Sequence, residues 1–307
     1  MAAQNGPREG GVPRVLALSS RVARGRVGLS IIEPALQTLG CEVMALPTVQ
    51  LASRPGLGRM AGAATPPETL RDMIDALADD GALDDLDAVL TGYAPSAAHV
   101  EVLAHAVERA RRASARVRVV CDPVLGDAGR VYLAADAAEA IRDWLAPMAD
   151  LLTPNAFEMA WLAGEAEAAA DLGALRRMAA AHPVPTVVVT SAPALLKGHL
   201  GALLVSHGGA TMAEARAAPE APNGTGDLFA ALLTAHLARN IAVEDALKRA
   251  VGGVHGVALR SHRAGADQLL VAEEANELVA PSQPVSLRRL GDDPRTGRRG
   301  VLRPGAL

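Results

Sequence analysis

Asn223-Gly224-Thr225-Gly226-Asp227 runs directly into the helical stretch at 228–238. A glycine-rich turn entering a helix leaves several backbone N–H groups unpaired. The helix dipole adds partial positive charge there, so the spot suits a phosphate. Asp227, in the first helical turn, has two readings. It is either an ordinary carboxylate favouring the dipole or a base held beside an anion-binding nest. Three more groups could do chemistry. Cys121-Asp122-Pro123-Val124-Leu125-Gly126-Asp127 offers two carboxylates that could hold Mg²⁺ or a monovalent cation beside phosphates. Leu152-Thr153-Pro154-Asn155-Ala156-Phe157-Glu158 sets out a hydroxyl, an amide and a carboxylate, and Val188-Val189-Thr190-Ser191 two hydroxyls. Singly these are weak signals, and loop capping would account for Asp122 and Asp127. No GxxxxGK[ST] pattern occurs, and Phe229 stands where a dinucleotide-binding fingerprint needs its third glycine.

What gives the four groups weight is the pattern of elements around them. Short apolar runs at 12–18, 42–46, 88–91, 117–121, 151–153 and 186–190 read as strands. Helical patterns at 27–39, 67–78, 96–112, 136–146 and 172–181 separate them, the second opening on prolines and the third capped by Ser96. Such alternation predicts an α/β fold, a three-layer α/β/α sandwich around a mainly parallel sheet. Parallel sheets bind ligands beyond the carboxyl ends of their strands. The polar groups fall there: Ser19 and Ser20, 47–50, 91–93, Asp122, 153–155, and Thr190 with Ser191. Beyond 190 a hairpin is predicted at 198–214 and two further helices at 243–261 and 265–278. One domain spans 12–284, between a loose leader at 1–11 and a disordered Arg-rich tail at 285–307.

The chain has 307 residues, 50% of them hydrophobic and only 2% aromatic, so the core must be built from Ala, Val and Leu. No apolar run is long enough to span a membrane, and no signal peptide is recognisable, which points to the cytoplasm. The net charge of −4 argues against a dedicated nucleic-acid binder. Six arginines (Arg288, Arg289, Arg295, Arg298, Arg299 and Arg303) crowd the tail, and they read as a solvated segment rather than a binding arm. Cys41 and Cys121 lie in strand-like runs and read as buried thiols. The histidines show no metal spacing and read as surface or capping residues. Trp144 and Trp161 read as core or interface.

Together, GTGDLFAALL, CDPVLGD, LTPNAFE, VVVTS and LDAVLTGY resemble the pyridoxal kinase branch of the ribokinase-like superfamily. LSSRVARGRVG and LPTVQ resemble that family's first and second strand–loop units, and the match keeps the same order from 14 to 240. The resemblance implies a homodimeric enzyme that phosphorylates the 5′-hydroxymethyl group of B6 vitamers with ATP, Mg²⁺ and a monovalent cation such as K⁺. It implies that Asp227 is the base and that Gly224, Thr225 and Gly226 form the anion hole. Asp122, Asp127, Thr153 and Glu158 would surround the cation and triphosphate. Asn155, Thr190 and Ser191 would meet ATP, and Ser20, Val27 and Tyr93 would line the vitamer pocket. The acceptor side departs from the pattern. Leu51 replaces the usual aromatic after TVQ, and Ala52, Ser53, Arg54 and Pro55 replace a polar stretch. Ser19, Arg21 and Leu29 stand for the usual Gln, His and Asn. A related hydroxymethyl-heterocycle or sugar kinase, or a catalytically quiet binding paralogue, are the alternatives these departures raise.

Overall fold

The computed structural model describes residues 11–59, 61–127, 129–165 and 171–291. The first half of the chain forms β1 (Arg14–Arg24), α1 (Leu29–Thr38), β2 (Glu42–Ser53), β3 (Gly62–Ala64), α2 (Pro67–Asp79), β4 (Ala88–Thr91), α3 (Ala97–Ala113) and β5 (Arg118–Cys121). A small ribbon of β6 (Gly126–Asp127) and β7 (Arg130–Val131) precedes α4 (Ala135–Ala140), β8 (Leu151–Leu152), α5 (Ala156–Leu162), α6 (Leu172–Ala181) and β9 (Thr186–Ala192). The hairpin of β10 (His199–Ser206) and β11 (Gly209–Arg216) leads to α7 (Thr225–Ala238), α8 (Val243–Arg263), α9 (Ala275–Val279) and β12 (Ser286–Leu290).

Ten strands form one sheet in the order β12-β11-β10-β9-β8-β5-β4-β1-β2-β3. The block from β9 to β2 is parallel, and both margins turn antiparallel. The central strands are continuous apolar runs because both faces are covered. Along β4, Val89 joins one apolar layer with Leu70 of α2, Leu103 of α3 and Leu175 of α6, while Ala88 and Leu90 join the other with Leu29 of α1, Leu232 of α7 and Leu247 of α8. Each fully buried Leu or Val contributes about 1.5–3 kcal/mol. Helix α7 is buried at every residue from Leu228 to Ala238, as an all-round apolar helix must be. The chain leaves β1 for β2 on one side and returns to β4 on the other, which makes the β1/β4 boundary the switch point where such sheets bind ligands.

Several sequence expectations need correction. Strands β1 and β2 do not stop at the sheet edge but run on as a paired arm to Arg24 and Ser53, with a register shift at Ser19/Ser20. The helix expected at 265–278 shrinks to α9. The one expected at 136–146 changes after α4 into a π turn at Ile141–Leu145 and a 3₁₀ turn at Ala146–Met148. The domain does not end at 284, because Ser286–Leu290 pairs with β11 as the sheet's edge strand. This takes Arg288 and Arg289 out of the expected disordered tail. The rest of that tail from 292, and the leader up to 10, lie outside the described residues. His99 and His236 are buried rather than superficial, Trp144 is half exposed, and Arg142 lies over the Trp161 ring. Cys41 and Cys121 are both buried and free, as expected. Ser96 precedes α3 but makes no capping bond to the backbone.

Candidate active site

The residue after each central strand is pinned to its neighbour. Gly92 N donates to Leu18 O at 2.8 Å, Asp122 N to Thr91 O at 2.8 Å, and Thr153 N to Cys121 O at 3.0 Å. Asp122 and Thr153 are thereby set side by side at the carboxyl edge, and the Thr153 hydroxyl donates to Asp122 Oδ1 at 3.2 Å. Both are buried. Burial pushes the Asp122 carboxyl well above the usual carboxylate range, and the charges of Glu158 and Asp227 push it further.

Facing this edge is the start of α7. Gly224 is left-handed at φ 101°, and a Cβ there would lie 2.0 Å from Arg26 O, so only glycine fits. Gly226 is different: it is exposed, and a Cβ there meets no atom within 4 Å. Open space over the exposed amides of a helix start is what an anion needs. Asp227 sits in the same turn and is partly accessible, yet desolvation raises it to about 6 against the pull of the Gly28 N–H that donates to it. A carboxyl held at about 6 is mostly ionised at neutral pH, the state a general base requires.

Glu158 behaves differently from the cation ligand expected of it. Its Oε1 accepts from Leu125 N at 2.8 Å and Gly126 N at 3.2 Å, and its Oε2 accepts from Asn155 N at 2.8 Å. Asn155 Oδ1 accepts from Glu158 N in return, at 2.9 Å, closing a capping box at the start of α5. Asn155 Nδ2 donates to Gly126 O at 2.8 Å, so the amide expected to meet ATP is already committed to the 122–127 loop. Burial raises the Glu158 carboxyl to about 7, opposed by those backbone N–H groups and helped by the charge of Asp127. Asp127 itself is exposed on β6. Among the described residues, no group of three or more His, Cys, Asp or Glu could hold a metal ion. The four-residue cation shell expected from Asp122, Asp127, Thr153 and Glu158 is therefore not a closed protein cage.

Thr190 follows the buried part of β9 and donates from its N–H to Pro154 O at 2.8 Å, and Ser191 is exposed with φ 54°. On the acceptor side Ser20, Val27 and Tyr93 are each partly buried around the switch point. Tyr93 N donates to Ser19 Oγ at 3.2 Å, and burial raises the Tyr93 hydroxyl. Arg54 lies along Gly25 and donates to Asp267 O at 3.2 Å. Two signals were in the sequence but unread. Asn155 followed three residues later by Glu158 is a capping-box spacing, and His99 three residues after Ser96 foreshadows their contact.

An accessible glycine-rich helix start, a desolvated carboxylate within it, and a hydroxyl–carboxyl pair at the sheet edge fit a phosphotransferase acting on a small hydroxyl compound. The comparisons agree. The phosphomethylpyrimidine kinase family matches residues 35–272. Pyridoxal kinase PdxY of Leifsonia xyli is 32% identical over 91% of this chain and 100% of its own. The pyridoxine/pyridoxal/pyridoxamine kinase of Bordetella bronchiseptica is 34% identical over 84% and 93%. The pyridoxal kinase of Leishmania donovani, solved in complex with ADP and pyridoxamine, superposes with a TM-score of 0.82 at 29% identity, over 91% of this chain and 99% of that one. The chain belongs to the family of pyridoxal and phosphomethylpyrimidine kinases.

Proposed function

We propose that the protein transfers the terminal phosphoryl group of ATP to the 5′-hydroxymethyl group of pyridoxal and related B6 vitamers, giving pyridoxal 5′-phosphate. The observation that carries this reading is the placement of Asp227, raised to about 6, at a glycine-rich helix start that is open at Gly226. Asp227 accepts the hydroxyl proton as oxygen attacks phosphorus, and the amides of 224–226 stabilise the charge on the phosphoryl oxygens. Ser20, Val27 and Tyr93 orient the vitamer ring, and Thr190 and Ser191 meet the nucleotide. Phosphoryl transfer depends mainly on such alignment and electrostatic stabilisation.

The residues present suit a divalent cation. Asp122 is held above the usual carboxylate range partly by its acidic neighbours, and a cation beside it would relieve that repulsion. Asp122 and Thr153 would hold Mg²⁺ or its waters, with Asp127 and Glu158 shaping the loop around it. When bound, Mg²⁺ supplies charge neutralisation on the phosphates. A monovalent cation such as K⁺, a homodimeric assembly and a cytoplasmic setting belong to the same proposal, on the strength of the resemblance. Among the described residues, no helix is long and apolar enough to cross a membrane.

A second reading, phosphorylation of another hydroxymethyl heterocycle, draws on the acceptor side, where Leu51 stands for the usual aromatic and Arg54, bonded to Asp267 O, lies in place of a polar stretch. One assay separates the two. The purified protein and Asp227→Asn are given ATP, Mg²⁺, K⁺ and either pyridoxal or a hydroxymethylpyrimidine. Turnover of pyridoxal by the wild type alone supports the proposal. Turnover of the pyrimidine alone replaces it, and silence with both substrates sinks both readings.

A further inference from the structure

His99, near the start of α3, is 4% exposed and touches none of the carboxylates of the site. Its Nε2 is 2.9 Å from Thr65 O, and its Nδ1 is 2.7 Å from Ser96 Oγ. A carbonyl oxygen only accepts, so Nε2 carries the hydrogen that joins it to Thr65. In the neutral ring Nδ1 then accepts from the Ser96 hydroxyl, which explains why Ser96 does not cap the helix backbone.

Thr65 follows β3, the weakest strand of the arm. That strand has three residues, all exposed, and pairs only with β2 at the margin of the sheet. A short edge strand without a buried side chain frays readily. Thr65 is therefore where the arm returns to the body of the protein. Its N–H donates to Thr48 O at 3.0 Å, and its hydroxyl donates to Pro47 O at 2.7 Å. Thr48 is the extra residue at the register shift, since Ser19 pairs with Pro47 and Ser20 with Val49. Such bulges re-aim side chains, and here the fully buried Thr48 hydroxyl donates to Tyr93 O at 2.7 Å. Tyr93 N closes the series on Ser19 Oγ. One run of hydrogen bonds thus connects His99, Thr65, Thr48, Tyr93 and Ser19, behind the pocket wall that carries Ser20 and Tyr93.

We infer that His99 is a positioning residue for acceptor binding: from α3 it anchors the β2–β3 arm and, through Thr48, sets the Tyr93 backbone against Ser19, next to Ser20 in the chain. The kinetic part of this inference rests on the acceptor being a B6 vitamer. The anchoring part does not. Among the described residues no hydrogen bond joins this run to Asp122, Thr153 or Thr190, so the nucleotide side should not respond.

The test compares wild type, His99→Leu and His99→Gln, because Gln retains a donor near the position of Nε2. In His99→Leu, the KM for pyridoxal should rise roughly 3- to 10-fold, the equivalent of one lost hydrogen bond, while kcat and the KM for ATP stay within about twofold. Gln should restore most of the difference. Hydrogen exchange of the Thr65 and Ala52 amides should quicken in His99→Leu and recover in His99→Gln, whatever the substrate is. Unchanged exchange at these amides overturns the inference. So does an equal rise in both KM values with a general loss of protection, which would mark His99 as an ordinary core residue. If the wild type leaves pyridoxal untouched but exchange responds as described, the vitamer assignment fails and the anchor stands.

Discussion

The backbone N–H of Gly28 donates to the carboxylate of Asp227. The turn beside the proposed acceptor pocket is thereby joined to the proposed catalytic base. Gly28 also packs against Ser20, where a Cβ would lie 2.2 Å from its carbonyl oxygen. A shift of the first loop would therefore move base and pocket together, which preserves the alignment on which phosphoryl transfer depends.

Asp227→Asn should lower kcat by roughly 10²- to 10⁴-fold, the usual contribution of a general base. It should also stabilise the protein. Desolvation raises the folded carboxyl from 3.8 to about 6, so the folded state binds the proton more tightly than the unfolded chain. Stability from this group is present below the unfolded value and is lost as pH rises through about 6. Removing the charge should therefore gain about 1–2 kcal/mol at neutral pH, less than the full shift because the side chain is partly solvated. Wild-type kcat should fall as pH drops below about 6. Activity profiles and denaturant midpoints at two pH values check both halves. A variant that is inactive and also destabilised would mean that Asp227 mainly supports the fold.

Gly224 and Gly226 should respond oppositely to alanine. At Gly224 the new methyl meets Arg26 O in a left-handed backbone, so Gly224→Ala should cost about 2 kcal/mol or more of stability and most of the activity. At Gly226 it meets nothing. Gly226→Ala should melt within about 2 °C of wild type yet lose roughly a hundredfold in kcat, because the methyl occupies space a phosphoryl group needs. Equal melting with full activity in Gly226→Ala would remove the anion hole from the proposal.

Much of this arrangement was legible beforehand, for a physical reason. A strand buried on both faces must be an unbroken apolar run, so 88–91 and 186–190 announced themselves, and the ligand-facing residues had to follow. The GTGD turn was legible because glycine and a polar first turn are local requirements. What escaped depends on partners distant in sequence. The arms of β1 and β2 beyond the sheet edge carry mixed residues such as Arg21, Ala23 and Gln50, whose extension is held by mutual pairing. Ser286–Leu290 becomes a strand only because β11 offers an open edge. The resemblance places Glu158 in the cation and triphosphate shell, and the backbone N–H groups that both its oxygens accept from are visible only in the fold.

The cation should be brought by the nucleotide. The proposed holders are Asp122 and Thr153, and Mg²⁺ usually completes such a site with phosphates and water. Titrating Mg²⁺ into the protein alone should show no binding tighter than about millimolar, and addition of an ATP analogue should bring uptake. A chelator should abolish turnover without altering the melting temperature. A metal that survives gel filtration without nucleotide would contradict this.

Glu158 should prove more important to the loop than its distance from the transferred group suggests. Val124 holds φ 43°, an unfavourable conformation for a β-branched residue, immediately before the two amides that Glu158 Oε1 accepts. Glu158→Ala leaves two buried N–H groups and one part-buried N–H without this acceptor and should cost about 3 kcal/mol. Glu158→Gln can still receive Leu125 and Gly126 on its oxygen, but its amide nitrogen then faces the Asn155 N–H, donor against donor. It should cost about 1–2 kcal/mol. In both variants the KM for ATP should rise while the KM for pyridoxal changes little, because the proposal puts the 122–127 loop on the triphosphate side and the acceptor on the side of Tyr93, which Thr48 holds separately. Thermal melting combined with the two KM values tests this. If Glu158→Gln loses kcat by orders of magnitude at wild-type stability, Glu158 acts directly on the phosphates or their cation, and the clamp is secondary.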